Sequence, residues 1–118
     1  MADVRRTRTA HSHDEPLYVI SVAARMVNLH PQTLRTYEEM GLVKPARSAG
    51  NVRLYSMADI ERVRQIQRLT DELGVNLAGV EVIFHMRGLL EQMHREMETM
   101  RQQYEAELER MRRHARGG

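Results

Sequence analysis

Gln32, Thr33, Arg35 and Thr36 crowd four hydrogen-bonding side chains into five positions, with only Leu34 between them. Tyr37 follows Leu34 by three residues, the spacing that puts two side chains on one side of an α-helix. With Leu34 and Tyr37 turned inward, an amide, two hydroxyls and a guanidinium point outward. Such groups can hydrogen-bond base edges in a major groove or the phosphates that flank it. The solvated face of any amphipathic helix has a similar composition, so this segment alone leaves both readings open. A second cluster follows closely. Lys44, Arg47, Asn51, Arg53 and Tyr55 bring basic, amide and phenol groups to one short stretch. Such donors suit phosphate contacts that fix register without reading sequence. Tyr55 reads equally well as a core residue.

The elements that must position these groups are short and well punctuated. Ser21 is expected to cap a first helix through Asn28, with Val22, Ala23, Met26 and Val27 as its apolar face, and Ser21 is also placed among the DNA-facing residues. A turn at Asn28-Leu29-His30 precedes Pro31, which suits the first position of a new helix. That second helix is expected to reach about Met40, with Gly41 as its left-handed cap. Two short helices joined by a tight turn form a helix-turn-helix. Pro45 forbids a helix in the next stretch, and Gly50-Asn51 is a turn pair between two short strands, which gives a two-stranded wing. Ser56-Met57-Ala58-Asp59 is a capping-box variant opening a third helix through Leu73, with Ile60, Val63, Ile66 and Leu69 inward. Gly74 closes it, and Asn76 caps a fourth helix carrying Val80, Ile83 and Phe84.

Beyond Gly88 the pattern narrows. Leu90, Met93, Met97, Met100 and Tyr104 alternate spacings of three and four, the seam of a coiled coil, and Leu108 and Met111 continue it after a stutter. A helix with so narrow a stripe needs a partner helix, and the expected partner is a second copy. Met86, Met93, Met97 and Met100 are flexible fillers that specify packing loosely. They read as an ordinary coiled-coil core or as a pairing helix that loosens on heating. The expected layout is an unstructured arm over 1–16, a DNA-binding domain over 17–86 and a dimerising helix over 87–116. The fold class is mainly α, a winged helix-turn-helix with a long coiled-coil helix.

Composition narrows the function classes. The chain has 118 residues, 42% hydrophobic and 29% charged, with a net charge of +2. Arg25, Arg35, Lys44, Arg47 and Arg53 face only Glu38 and Glu39 within residues 16–56, so the positive surplus lies where phosphate would be met. Cysteine is absent, which removes disulfides and thiolate metal sites. The six histidines are scattered, and no metal site and no cofactor are expected. No apolar run approaches the roughly 20 residues of a membrane span. Residues 1–15 do not read as an export signal, so a cytoplasmic protein is expected. No carboxylate pair, nucleophile motif or phosphate-cradling glycine loop suggests an enzyme.

The ordered set Tyr18-Val19-Ile20-Ser21-Val22-Ala23, Thr33-Leu34-Arg35-Thr36-Tyr37-Glu38, Gly41-Leu42-Val43, Pro45-Ala46-Arg47 and Arg53-Leu54-Tyr55-Ser56 resembles the MerR family of transcription regulators over about residues 17–86. Residues 30–37 and 74–80 further resemble its heat-shock repressor branch. The resemblance implies repression of chaperone genes by a homodimer at an inverted-repeat operator on double-stranded DNA, with release on heat stress. It also implies the Hsp70 chaperone DnaK as co-repressor. By position, Gln32, Thr33, Arg35 and Thr36 match the family's recognition helix, Tyr37 an aromatic beside the backbone, and Arg53 and Tyr55 its wing phosphate contacts. Leu54 departs from the pattern, standing where a second basic residue is often found. An activator of another stress response and a coiled-coil adaptor are the alternatives.

Overall fold

The computed structural model describes residues 13–117, which fall into two units divided between Glu81 and Val82. Most of the expected arm, residues 1–12, lies outside the described residues. The element order is β1 (Tyr18–Val19), α1 (Ile20–Met26), α2 (Pro31–Glu39), β2 (Ala46–Arg47), β3 (Arg53–Tyr55), α3 (Met57–Gln67), a π-helical turn (Arg68–Glu72) and α4 (Leu77–Gly117). Among the described residues, no helix is long and apolar enough to cross a membrane.

Both helices of the helix-turn-helix end in the same way. Asn28 takes a left-handed backbone, φ 56°, and Leu29 N–H donates back to Ala24 C=O at 2.9 Å. Gly41, φ 75°, repeats the device after α2, with Leu42 N–H reaching Tyr37 C=O and Gly41 N–H reaching Glu38 C=O, both at 2.9 Å. This double bond across a left-handed residue occupies carbonyls that the helix end would otherwise leave unpaired. Pro31 sits at the first position of α2, and the His30 ring caps that end, Nδ1 accepting from Gln32 N–H at 3.0 Å.

Ser21 is not a cap. Helix α1 starts one residue before it, Val19 is the N-cap without any side-chain bond, and Ser21 is exposed. The reason is β1: the backbone of Tyr18 and Val19 is committed to pairing with β3, and the helix begins where that pairing ends. The expected two-stranded wing is accordingly a three-stranded antiparallel sheet of order β1-β3-β2. Helix α1 is also shorter than expected, ending at Met26 rather than Asn28.

Ser56 and Asp59 form a reciprocal capping box, Ser56 Oγ accepting from Asp59 N–H at 3.0 Å and Asp59 Oδ2 from Ser56 N–H at 2.9 Å. Helix α3 does not run evenly to Leu73. It widens after Gln67 into the π-helical turn, and Gly74, φ 69°, reverses the chain. Ala23, Ala24, Val27, Leu34, Tyr37, Leu42, Val43, Ile60, Val63, Ile66 and Val80 are buried. Polar bonds fasten α3 to the segments after α1 and α2: Gln67 Nε2 donates to Val27 C=O at 2.7 Å, and Arg62 Nε to Leu42 C=O at 2.5 Å. His13, assigned by sequence to an unstructured arm, is tied to α3. Its carbonyl accepts from Ala58 N–H at 3.0 Å and its Nε2 lies 2.8 Å from Glu61.

In the second unit, helix α4 continues to Gly117. Phe84 is buried, and the Arg87 guanidinium lies 5.7 Å from its ring centre. Leu90, Met93, Met97, Met100, Tyr104 and Met111 are all exposed, Tyr104 to 68%, while Leu108 is half-buried. On the polar flanks Arg101 pairs with Glu98 and Glu105, and Arg110 with Glu107, within single turns of the helix.

Candidate nucleic-acid interface

Helix α2 is split by its own periodicity. Leu34 and Tyr37 are buried beneath it, while Gln32 is exposed and Thr33, Arg35 and Thr36 are half-buried. Burial raises the Tyr37 phenol pKa, and nearby Asp71 adds to the effect. The polar residues are loosely bound to one another. Arg35 donates to Gln32 Oε1 at 3.5 Å, and Thr36 Oγ1 donates to Gln32 C=O at 3.1 Å. A 3.5 Å contact is weak, so the Arg35 guanidinium remains available to another acceptor.

The wing is organised by strand register. Arg47 lies directly opposite Arg53, and Ala46 opposite Leu54. Side chains alternate across a strand, so both arginines share one face with Tyr55, while Ala46, Leu54 and Val19 share the other. The tip is closed by Ser48, whose N–H donates to Val52 C=O and whose C=O accepts from Asn51 N–H, both at 2.9 Å. Asn51 rather than Gly50 supplies the left-handed residue, φ 62°. Lys44 is exposed ahead of β2.

The arginines of the wing meet a carboxylate from α2. Arg53 Nε donates to Glu38 Oε1 at 2.5 Å, and Arg47 donates from a terminal nitrogen to Glu38 Oε2 at 3.0 Å. Arg47 also reaches Asn51 C=O at 3.5 Å. The Glu38 side chain is 21% exposed. Burial pushes its pKa up, but the hydrogen bonds and charges of Arg53 and Arg47 together outweigh this and leave it below the usual carboxylate value. Sequence reasoning had counted Glu38 only as a charge against the basic surplus. The signal that could have found it is an acid on the helix preceding a hairpin with two facing arginines.

Tyr55 has no accessible surface, and its hydroxyl makes no hydrogen bond among the described residues. Burial raises its pKa, with Glu38 adding to the effect. Its ring therefore belongs to the core under the wing and not to the wing's surface. Gln32, Thr33, Arg35 and Thr36 thus share one helix, Arg47 and Arg53 are fastened to that helix through Glu38, and Ser21 and Lys44 are exposed on α1 and ahead of β2. Among the described residues no group of three His, Asp or Glu side chains is placed to hold a metal.

Residues 18–87 match the family described as MerR HTH family regulatory protein. Over 82 residues, 70% of this chain and 54% of the relative, the sequence is 51% identical to the heat shock protein HspR of Streptomyces coelicolor. The chain spans about half the length of the curated relatives it matches first, 54% and 55%. A MerR family transcriptional regulator from Bacillus cereus superposes with a TM-score of 0.54 at 29% identity, covering 77% of this chain and 73% of that one. HiNmlR, a MerR family regulator lacking the sensor domain and bound to promoter DNA, superposes with a TM-score of 0.56 at 22% identity, covering 79% and 76%, and shows the same fold. Helix-turn-helix, sheet and long helix follow one another here in the order that the match requires, and the chain belongs to the MerR family of helix-turn-helix transcriptional regulators.

Proposed function

We propose that the chain represses heat-shock (chaperone) genes, binding an inverted-repeat operator as a homodimer and leaving it on heat stress. The 51% identity with a protein named for heat shock carries this reading. Helix α2 enters the major groove, where Gln32, Thr33, Arg35 and Thr36 meet base edges and nearby phosphates. Arg47, Arg53 and Lys44 take backbone phosphates on the flank, with Asn51 at the wing tip and Ser21 on α1 as further polar contacts. A neighbour of the same fold bound to promoter DNA supports that orientation. The exposed stripe Leu90, Met93, Met97, Met100, Tyr104, Leu108 and Met111 pairs with the same stripe of a second copy, and two reader helices then match two half-sites. The Hsp70 chaperone DnaK is the candidate co-repressor, and the nucleoid in the cytoplasm is the expected location.

Genome-wide recovery of bound DNA, before and after heat shock, tests the reading. Chaperone promoters should be enriched and the enrichment lost on heating. Purified DnaK should tighten operator binding. Arg35→Ala combined with Arg53→Ala should weaken duplex binding and flatten its dependence on salt, since each phosphate contact released steepens that dependence by about one unit. An unchanged salt slope would remove the DNA-binding reading.

A further inference from the structure

We propose that Glu38 is a positioning residue for DNA: from the last turn of α2 it aims both wing arginines, so that phosphate contacts on the wing and base contacts on the helix fall into one register. This rests on the DNA-binding reading above. Two placements that are unfavourable alone become favourable together. A carboxylate in the last turn of a helix opposes the helix dipole, and α2 has no basic residue there to offset it. Two arginines directly opposite each other on neighbouring strands repel. One carboxylate between them relieves both. It does so from a fixed base, because the Glu38 carbonyl is itself held by Gly41 N–H at 2.9 Å.

The pattern of donors shows what remains for a ligand. A guanidinium carries five N–H groups. Arg53 spends its Nε on Glu38, and its two terminal nitrogens make no hydrogen bond among the described residues. Arg47 gives one terminal nitrogen to Glu38 and the other, more weakly, to Asn51 C=O. Both side chains are thus ordered before DNA arrives, with donors left over for a phosphate oxygen, and ordering in advance lowers the cost of binding. Glu38 also brings one negative charge to the interface, which weakens attraction to any duplex regardless of sequence. Its two effects therefore have opposite signs: it reduces general affinity and raises discrimination.

That opposition gives the test. The probe is the duplex that the wild-type chain selects from a randomised library, compared with an alternating-copolymer duplex as non-specific DNA. Glu38→Gln should bind the non-specific duplex at least as tightly as wild type. Its ratio of selected to non-specific affinity should fall about ten-fold, the size of one mismatched base pair. In an Arg47→Ala, Arg53→Ala background, Glu38→Gln should lower that ratio no further, because the residue acts through those arginines. Glu38→Asp keeps the charge but is one methylene shorter. It should lose discrimination without gaining non-specific affinity, and it serves if the glutamine variant fails to fold. Unchanged discrimination in Glu38→Gln, or a loss that persists without the arginines, overturns the proposal. If Arg35→Ala loses discrimination while Glu38→Gln does not, the DNA reading stands and the positioning role falls. Failure to enrich any duplex overturns both.

Discussion

Between Ala23 and Val80 the chain buries a dozen apolar side chains and caps every turn it makes, while from Leu89 to Met111 the helix leaves Leu90, Met93, Met97, Met100 and Tyr104 more than half exposed. The first unit holds a core drawn from five elements and cross-braced by Gln67, Arg62 and Glu38. In the second, intrahelical ion pairs line the flanks of an unburied stripe. Such exposed pairs each contribute at most about 0.5 kcal/mol. The two regions differ in where their stability comes from. The first acquires it on folding, and the second acquires it on association.

Leu34→Ala should have the largest effect. Leu34 has no accessible surface, and its truncation should cost about 2–5 kcal/mol in denaturant unfolding of the first unit. Met97→Glu places a charge in the middle of the exposed stripe. On the proposed pairing it should turn the dimer into a monomer in sedimentation, with the first unit keeping its fold. A variant that remains dimeric would break the comparison, and one that unfolds the first unit would show that its stability also depends on association.

The comparison also explains what could be read in the sequence. Pro31, Gly41, the Ser56–Asp59 box and Gly74 were legible because each acts on backbone within a few residues of itself. The methionine stripe was legible as a period. Strand β1 was not, because two residues have no periodicity, and only Tyr55 and Leu54, more than thirty positions away, make them a strand. The misplaced Ser21 cap followed from that omission. The π-helical turn at 68–72 lies inside a helical pattern that predicts an even helix. Glu38 was hidden for a different reason. By composition it subtracts from a basic patch, and only register brings Arg47 and Arg53 to the same carboxylate.

Smaller effects sharpen the picture of the first unit. Tyr55→Phe removes a buried hydroxyl that lacks a partner among the described residues, so thermal unfolding should show equal or greater stability, by up to about 1 kcal/mol. A marked loss would mean that the phenol has a role its surroundings do not suggest. The Glu38 clamp should appear in the pH dependence of unfolding. Its carboxyl pKa is lowered on folding, so the clamp's contribution is complete above the ordinary carboxylate range and is lost as pH falls through the lowered value. Glu38→Gln should flatten that acid limb and leave stability at neutral pH less dependent on salt.

The order β1-β3-β2 has a consequence for solubility. The longest strand is in the middle, and both outer strands are two residues long. An incoming strand would find too few free backbone groups on either side to nucleate pairing, although Leu17, Val19 and Val52 are exposed nearby. Crowding many copies together, as a cluster of operator sites would, therefore carries little risk of growth by strand addition.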